Sequence, residues 1–140
     1  MIYIDTGAFL ARYMSRDQHH VEAGNAWEKL SKGRNQLFTS NFVLDETFTL
    51  LARRAGYDFA AQKAKSIYSS QSLTILRPDY DHEIDALAWF EKYSDHEISF
   101  TDCVSFALLK ANRIKRVFSF DQHFKLAGFE LWPKSRIQKT

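Results

Sequence analysis

Short apolar runs alternate with longer segments of helical period along this chain, and that alternation constrains the fold more than any other feature. The runs lie at Ile2 to Ile4, Leu37 to Thr39, Leu73 to Leu76, Val117 to Phe120 and Phe129 to Trp132. Each has the length of a buried strand, and strands that take turns with helices pair in parallel. The expectation is an α/β domain with a central, mostly parallel sheet of about five strands, covered on both faces.

The intervening segments carry their own start and stop signals. After Asp5-Thr6-Gly7, Phe9, Leu10 and Tyr13 recur at helical spacing. Asp17 is a suitable N-cap for a helix running to about Leu30, with Val21, Trp27 and Leu30 as core positions and Lys32-Gly33 at its end. Ser40 or Asn41 caps the next, whose Val43, Thr47, Leu50 and Leu51 share a face before Arg53, Arg54 and Gly56 close it. Asp58 begins another helix. Arg77-Pro78 breaks the third strand, and Asp79 or Asp81 opens a helix with Ile84, Leu87, Ala88 and Trp89. Thr101 caps a further helix with Val104, Ser105, Leu108 and Leu109 inward, and a basic tail follows Trp132.

Composition sets limits on partners and compartment. With no linker, repeat or low-complexity tract, one domain over 1–140 is expected, and 45% hydrophobic residues including twelve Phe exclude a disordered chain. Phe38, Phe42, Phe48 and Phe59 read as core. The single Cys103 permits no internal disulfide and no cysteine pattern resembles a zinc site, which fits a reducing, cytoplasmic setting. No apolar run approaches a membrane span, and the N-terminus lacks a signal-peptide pattern. Nineteen basic against seventeen acidic residues leave only +2, so net charge alone does not announce a nucleic-acid partner.

Four carboxylates converge on one edge of such a sheet. Asp5 and Asp121 each follow a strand, at the carboxyl ends where parallel sheets place their ligand crevice. Glu46 falls in the second turn of the helix after the second strand, and Asp102 in the first turn of the helix capped at Thr101. Each has an ordinary structural reading: Asp5 as a turn former, Asp102 as a helix-dipole partner, Asp121 as a cap for the turn holding Phe124. Glu46, set among Phe42, Val43, Leu44 and Phe48, is the hardest to explain that way. Carboxylates gathered this closely repel one another unless a cation neutralises them, and oxygen ligands select a hard divalent ion, magnesium or manganese. Such an ion can polarise a phosphodiester and acidify water.

The segments YIDTGAFLA, TSNFVLDETFTLL, SFTDCVSFALLK and VFSFDQHFKLAGFELWP, in this order and spacing, resemble the four signature blocks of PIN domains, in particular the group containing VapC toxins. The resemblance spans nearly the whole chain. It implies a PIN-like three-layer α/β/α fold and a Mg2+- or Mn2+-dependent endoribonuclease, the toxin of a toxin-antitoxin pair. It further implies transfer or ribosomal RNA as substrate, a small cognate antitoxin as partner and a homodimer. On it, Asp5, Glu46, Asp102 and Asp121 match the family's acids and Thr6 and Ser119 its site-lining hydroxyls, with Ser119 where Thr is more usual. Asp45 adjoins Glu46, but on a helix the two point about 100° apart, and the motif selects Glu46.

Other residues are weighed beside these. Asn41 could orient the site or touch phosphate, or cap its helix. Arg12, Arg16 and Lys125 are candidate RNA-backbone contacts near the crevice, whereas Arg113, Lys115 and Arg116 belong on the opposite edge. His123 could assist proton transfer or sit in a packing turn, and the adjacent His19-His20 are expected to be exposed. Excess apolar residues in the early helices could form a dimer face or an antitoxin groove. Asp5-Thr6-Gly7-Ala8 also matches the aspartic-protease signature, but those enzymes are all-β and a helical pattern follows here. A PIN-fold module that binds RNA or protein without cutting, or an RNA-processing nuclease that is not a toxin, are the remaining alternatives.

Overall fold

Successive residues of a strand point to opposite sides of a sheet, so a strand with every side chain buried must be covered on both faces. Ile2, Tyr3 and Ile4 are all fully buried. In the computed structural model, which describes residues 1–134, they form β1 (Ile2–Ile4), the middle of five parallel strands. The others are β2 (Leu37–Ser40), β3 (Leu73–Leu76), β4 (Arg116–Phe118) and β5 (Glu130–Trp132), in the order β3-β2-β1-β4-β5. Every pairing is parallel, with Ile2 beside both Leu37 and Arg116 and Ile4 beside Phe118.

The helices are α1 (Thr6–Tyr13), α2 (His20–Lys32), α3 (Asn41–Ala55), α4 (Tyr57–Ser69), α5 (Tyr80–Lys92), α6 (Phe100–Ala111) and the short α7 (His123–Leu126). One face of the sheet meets α1 and α2: the Trp27 ring packs on Phe9 and on Phe118, and its Nε1 donates to the Ala8 carbonyl at 3.0 Å. The other meets α6, where the Tyr3 hydroxyl bonds Ser105 Oγ at 2.7 Å and Phe106 packs on Trp89, Phe124 and Phe129. These are the three expected layers. From Asp102 to Leu109 every residue of α6 is buried.

Several local expectations are corrected. α2 begins at His20 rather than after Asp17, whose Oδ1 instead accepts the His19 N–H at 2.8 Å and ties off the preceding turn. Val21 is 76% exposed, and Ala23, Ala26 and Leu30 carry that helix's buried face. On α5, Ile84 and Leu87 are 43% and 45% exposed and Ala86 is the buried contact. Small side chains let a helix backbone approach its neighbour closely, which a search for large apolar residues overlooks. Ser99, not Thr101, caps α6, accepting the Asp102 N–H at 3.1 Å. Tyr57 opens α4, one residue before Asp58. Of the open pairs, Ser40 caps α3 and Asp79 caps α5, the latter with His82 in a reciprocal capping box.

β4 ends at Phe118, so Asp121 does not follow its strand directly. The basic tail lies, from residue 135 on, outside the described residues. Among the described residues no helix is long and apolar enough to cross a membrane.

Candidate active site

The chain leaves β1 toward β2 through α1 and α2, whereas β4, on the other side of β1, is reached from β3 through α5 and α6. Connections that depart in opposite directions from two adjacent strands open a crevice beyond their carboxyl ends. A cleft of about 660 Å3 lies there. Asp5, Thr6, Glu46, Asp102, Ser119 and Asp121 all line it.

Each acid is delivered by a different element. Asp5 is the N-cap residue of α1, its extended backbone still bonded to the sheet through its N–H and the Phe118 carbonyl at 3.1 Å. Its side chain makes no capping bond and is turned instead into the cleft. Asp102 stands in the first turn of α6 and Glu46 in the second turn of α3. Asp121 is held by the loop after β4: its N–H donates to Ser119 Oγ at 3.0 Å and its Oδ1 accepts the His123 N–H at 2.9 Å. Ser119 Oγ also donates to Asp5 Oδ2 at 2.8 Å, so one hydroxyl ties the first and last acids together.

This proximity is electrostatically costly. Burial, and next the charge of Asp102, push the Asp5 carboxyl well above the usual carboxylate range. Burial raises Asp102 to about 7, with the charges of Asp121 and Glu46 adding to it. Among the described residues no lysine or arginine lines the cleft to offset them. Meanwhile Asp5 Oδ1, Thr6 Oγ1 and His123 Nδ1 are buried without a hydrogen-bond partner. A cluster of acids, two of them reluctant to ionise, with a buried carboxylate oxygen left unpaired, is a donor set that a hard divalent cation fits.

Other expected residues fall elsewhere. Asn41 starts α3 but neither caps it nor lines the cleft, and its Oδ1 is buried without a partner. Arg12 lies with its guanidinium 4.5 Å from the Trp27 ring centre, in a separate pocket on the α1–α2 side. Arg16 and Lys125 are exposed and outside the cleft lining. Arg116 sits at the amino end of β4, its Nη2 donating to Asn35 Oδ1 at 2.9 Å, and neither it, Arg113 nor Lys115 lines the cleft.

Two histidines in the cleft wall escape a reading for acids. The His19 ring stacks coplanar on Phe120 with centroids 4.2 Å apart, and His123 Nδ1 lies 3.1 Å from Asp121 Oδ1 and 3.6 Å from Asp102 Oδ2. His20, expected to be exposed with His19, is half-buried and its Nδ1 lies 2.7 Å from the Ala11 carbonyl oxygen. A signal existed: Asp-Gln-His occurs at 17–19 and again at 121–123. In both copies the aspartate accepts the histidine N–H, the same local turn at each site.

The PIN domain family profile matches residues 2–130 of this chain. The chain belongs to the PIN-domain family. The chain is 35% identical over 129 residues to the 23S rRNA-specific endonuclease VapC20 of Mycobacterium tuberculosis, covering 92% of this chain and 95% of that protein. It is 31% identical over 134 residues to a VapC ribonuclease of Archaeoglobus fulgidus, covering 92% and 83%. The crystal structure of VapC20, described as a sarcin-ricin loop cleaving toxin, superimposes with a TM-score of 0.84 over 92% of this chain and 96% of that one. A toxin-antitoxin complex from Klebsiella pneumoniae shares the fold at 13% identity, with a TM-score of 0.61 over 87% and 88%. Within the PIN domains, the identity to two VapC ribonucleases sets this chain in the VapC group.

Proposed function

We propose that this PIN domain, read as one unit over 1–140, is a Mg2+- or Mn2+-dependent endoribonuclease of the VapC type, the toxin of a toxin-antitoxin pair. The observation that carries the reading is the buried, unpaired Asp5 Oδ1 in a cleft shared with Glu46, Asp102 and Asp121. These four side chains would hold the ion. When bound, it supplies charge stabilisation at the scissile phosphate and a water of lowered pKa.

The chain's own residues prepare that chemistry. Ser119 fixes the Asp5 carboxylate by its Oδ2 and leaves Oδ1 without a hydrogen-bond partner. The raised affinity of Asp5 and Asp102 for protons means that cation binding displaces them, so metal affinity rises with pH. Thr6, with its hydroxyl unpaired beside Asp5, is placed to donate to a phosphate oxygen. RNA extending beyond the cleft would meet Arg16 and Lys125 at the surface.

The 35% identity to a 23S rRNA-specific endonuclease supports ribosomal RNA as the substrate class ahead of transfer RNA. A small antitoxin is the expected partner. A homodimer is the expected assembly, for which α5 offers Ile84, Leu87 and Phe90, each more than two-fifths exposed.

The test is cleavage of labelled ribosomal and transfer RNA with Mg2+, Mn2+ or EDTA by the wild-type chain, Asp5→Asn and Glu46→Gln. Cleavage that requires metal and both acids supports the reading. Intact RNA across the panel, from a folded chain, would overturn it and leave a binding module.

A further inference from the structure

We propose that His123 is a protein ligand of the divalent ion, its Nδ1 joining Asp102 and Asp121, and that this nitrogen shifts the site's preference from magnesium toward manganese. The inference rests on the metal-dependent reading above and adds to it a ligand of different chemistry.

The geometry is the warrant. One ligand atom from each of Asp102, Asp121 and His123 lies within 4.8 Å of the other two. Nδ1 stands 3.1 Å from Asp121 Oδ1 and 3.6 Å from Asp102 Oδ2. An octahedral ion with ligand distances of about 2.1 Å spaces adjacent donors roughly 3 Å apart, so one ion can serve all three with small side-chain adjustments. Nδ1 is buried, yet it makes no hydrogen bond despite two carboxylates within reach. Asp121 Oδ1 already accepts the backbone N–H of His123 itself. A divalent ion between this nitrogen and the two carboxylates would give Nδ1 the partner it lacks.

The ring is also held in place. Phe124, the next residue, is fully buried edge-on to Phe106 at 5.2 Å, which anchors the turn carrying His123. An orienting scaffold of this kind is what a ligand needs and a freely solvated histidine lacks. Imidazole is a softer donor than carboxylate and suits transition metals, whereas magnesium is served by oxygen alone. The other histidine in the cleft, His19, stacks on Phe120 and belongs to no such triad among the described residues.

Pulsed electron paramagnetic resonance of Mn2+ bound to the purified full-length chain tests this without reference to activity. The expected result is nitrogen modulation from a directly bound imidazole in the wild type and in His19→Asn, and its loss in His123→Asn. Calorimetry should show Mn2+ affinity falling about tenfold in His123→Asn with Mg2+ affinity changed much less. Mn2+ that binds, depends on Asp5 and yet shows no nitrogen modulation would overturn this inference and leave the four-acid reading standing. A folded chain that binds no Mn2+ at all would overturn both.

Discussion

Ser119 uses its hydroxyl in both senses, donating to Asp5 and accepting from the Asp121 N–H. Removing such an orienting partner of a ligand costs roughly 10- to 100-fold in metal affinity or activity. Ser119→Ala should therefore lose metal affinity on that scale by calorimetry, while Ser119→Thr, which keeps the hydroxyl, retains most of it. Asp102 and Asp5 govern the pH response. Their folded-state values lie above the ordinary carboxyl value near 3.9, so between about pH 4 and pH 7 the folded chain holds protons that the unfolded chain has released. The stability of the metal-free protein should thus fall as pH rises through that window, by on the order of a few kcal/mol, in urea titrations with EDTA. Asp102→Asn should flatten the profile and melt above wild type at about pH 8 without metal, while failing to cleave RNA. The convergence of Asp5, Glu46, Asp102 and Asp121 on one cleft was legible, although β4 stops three residues short of Asp121. Arg12 was not, because the Trp27 ring that draws its guanidinium away from the crevice is fifteen residues further along the chain and becomes its neighbour only on folding.

Element boundaries depend on which of several suitable residues takes the cap, and propensity ranks these too closely to decide. Ser99 prevails over Thr101 because its side chain reaches the Asp102 N–H, a bond that also fixes the backbone under a site carboxylate. The other end of α6 is more instructive. Ile114 N–H bonds the Leu109 carbonyl at 2.9 Å and Arg113 N–H the Lys110 carbonyl at 3.2 Å, the paired bonds of a Schellman ending. The residue that must take the left-handed conformation there is Arg113, at φ 57°, where glycine is usual. The same ending after α7 does use glycine, Gly128 at φ 99°. Arg113→Gly should relieve that strain and stabilise the chain by roughly 0.5–1 kcal/mol, seen as a rise of about 2–4 °C in Tm. Gly128→Ala should act in the opposite sense by about 1 kcal/mol. Arg113 follows the end of α6 opposite Asp102 and is outside the cleft lining, so RNA cleavage by its variant should be unchanged.

At the scale of the molecule, the period of the apolar pattern revealed a parallel sheet but not its strand order. Nothing local to β1 says that its two neighbours come from residues 37–40 and 116–118; that choice is made by the helices each connection must bury. α6 shows the cost of the arrangement, with Phe106 fully buried among Trp89, Phe124 and Phe129. Phe106→Ala should cost about 3–5 kcal/mol in chemical denaturation, enough to endanger folding.

The pairing of β1 with β4 also bears on when the cleft comes into being. Asp5 is synthesised 114 residues ahead of its partner Ser119, and the acid Asp121 follows two residues later. At about 5–20 residues per second, the interval is on the order of ten seconds. Throughout it the nascent chain has its first acid but neither β4 nor the loop that completes the cleft. The acid cleft is therefore a late product of folding, assembled only when the segment carrying β4 and Asp121 has joined the strand that carries Asp5, a delay written into the strand order.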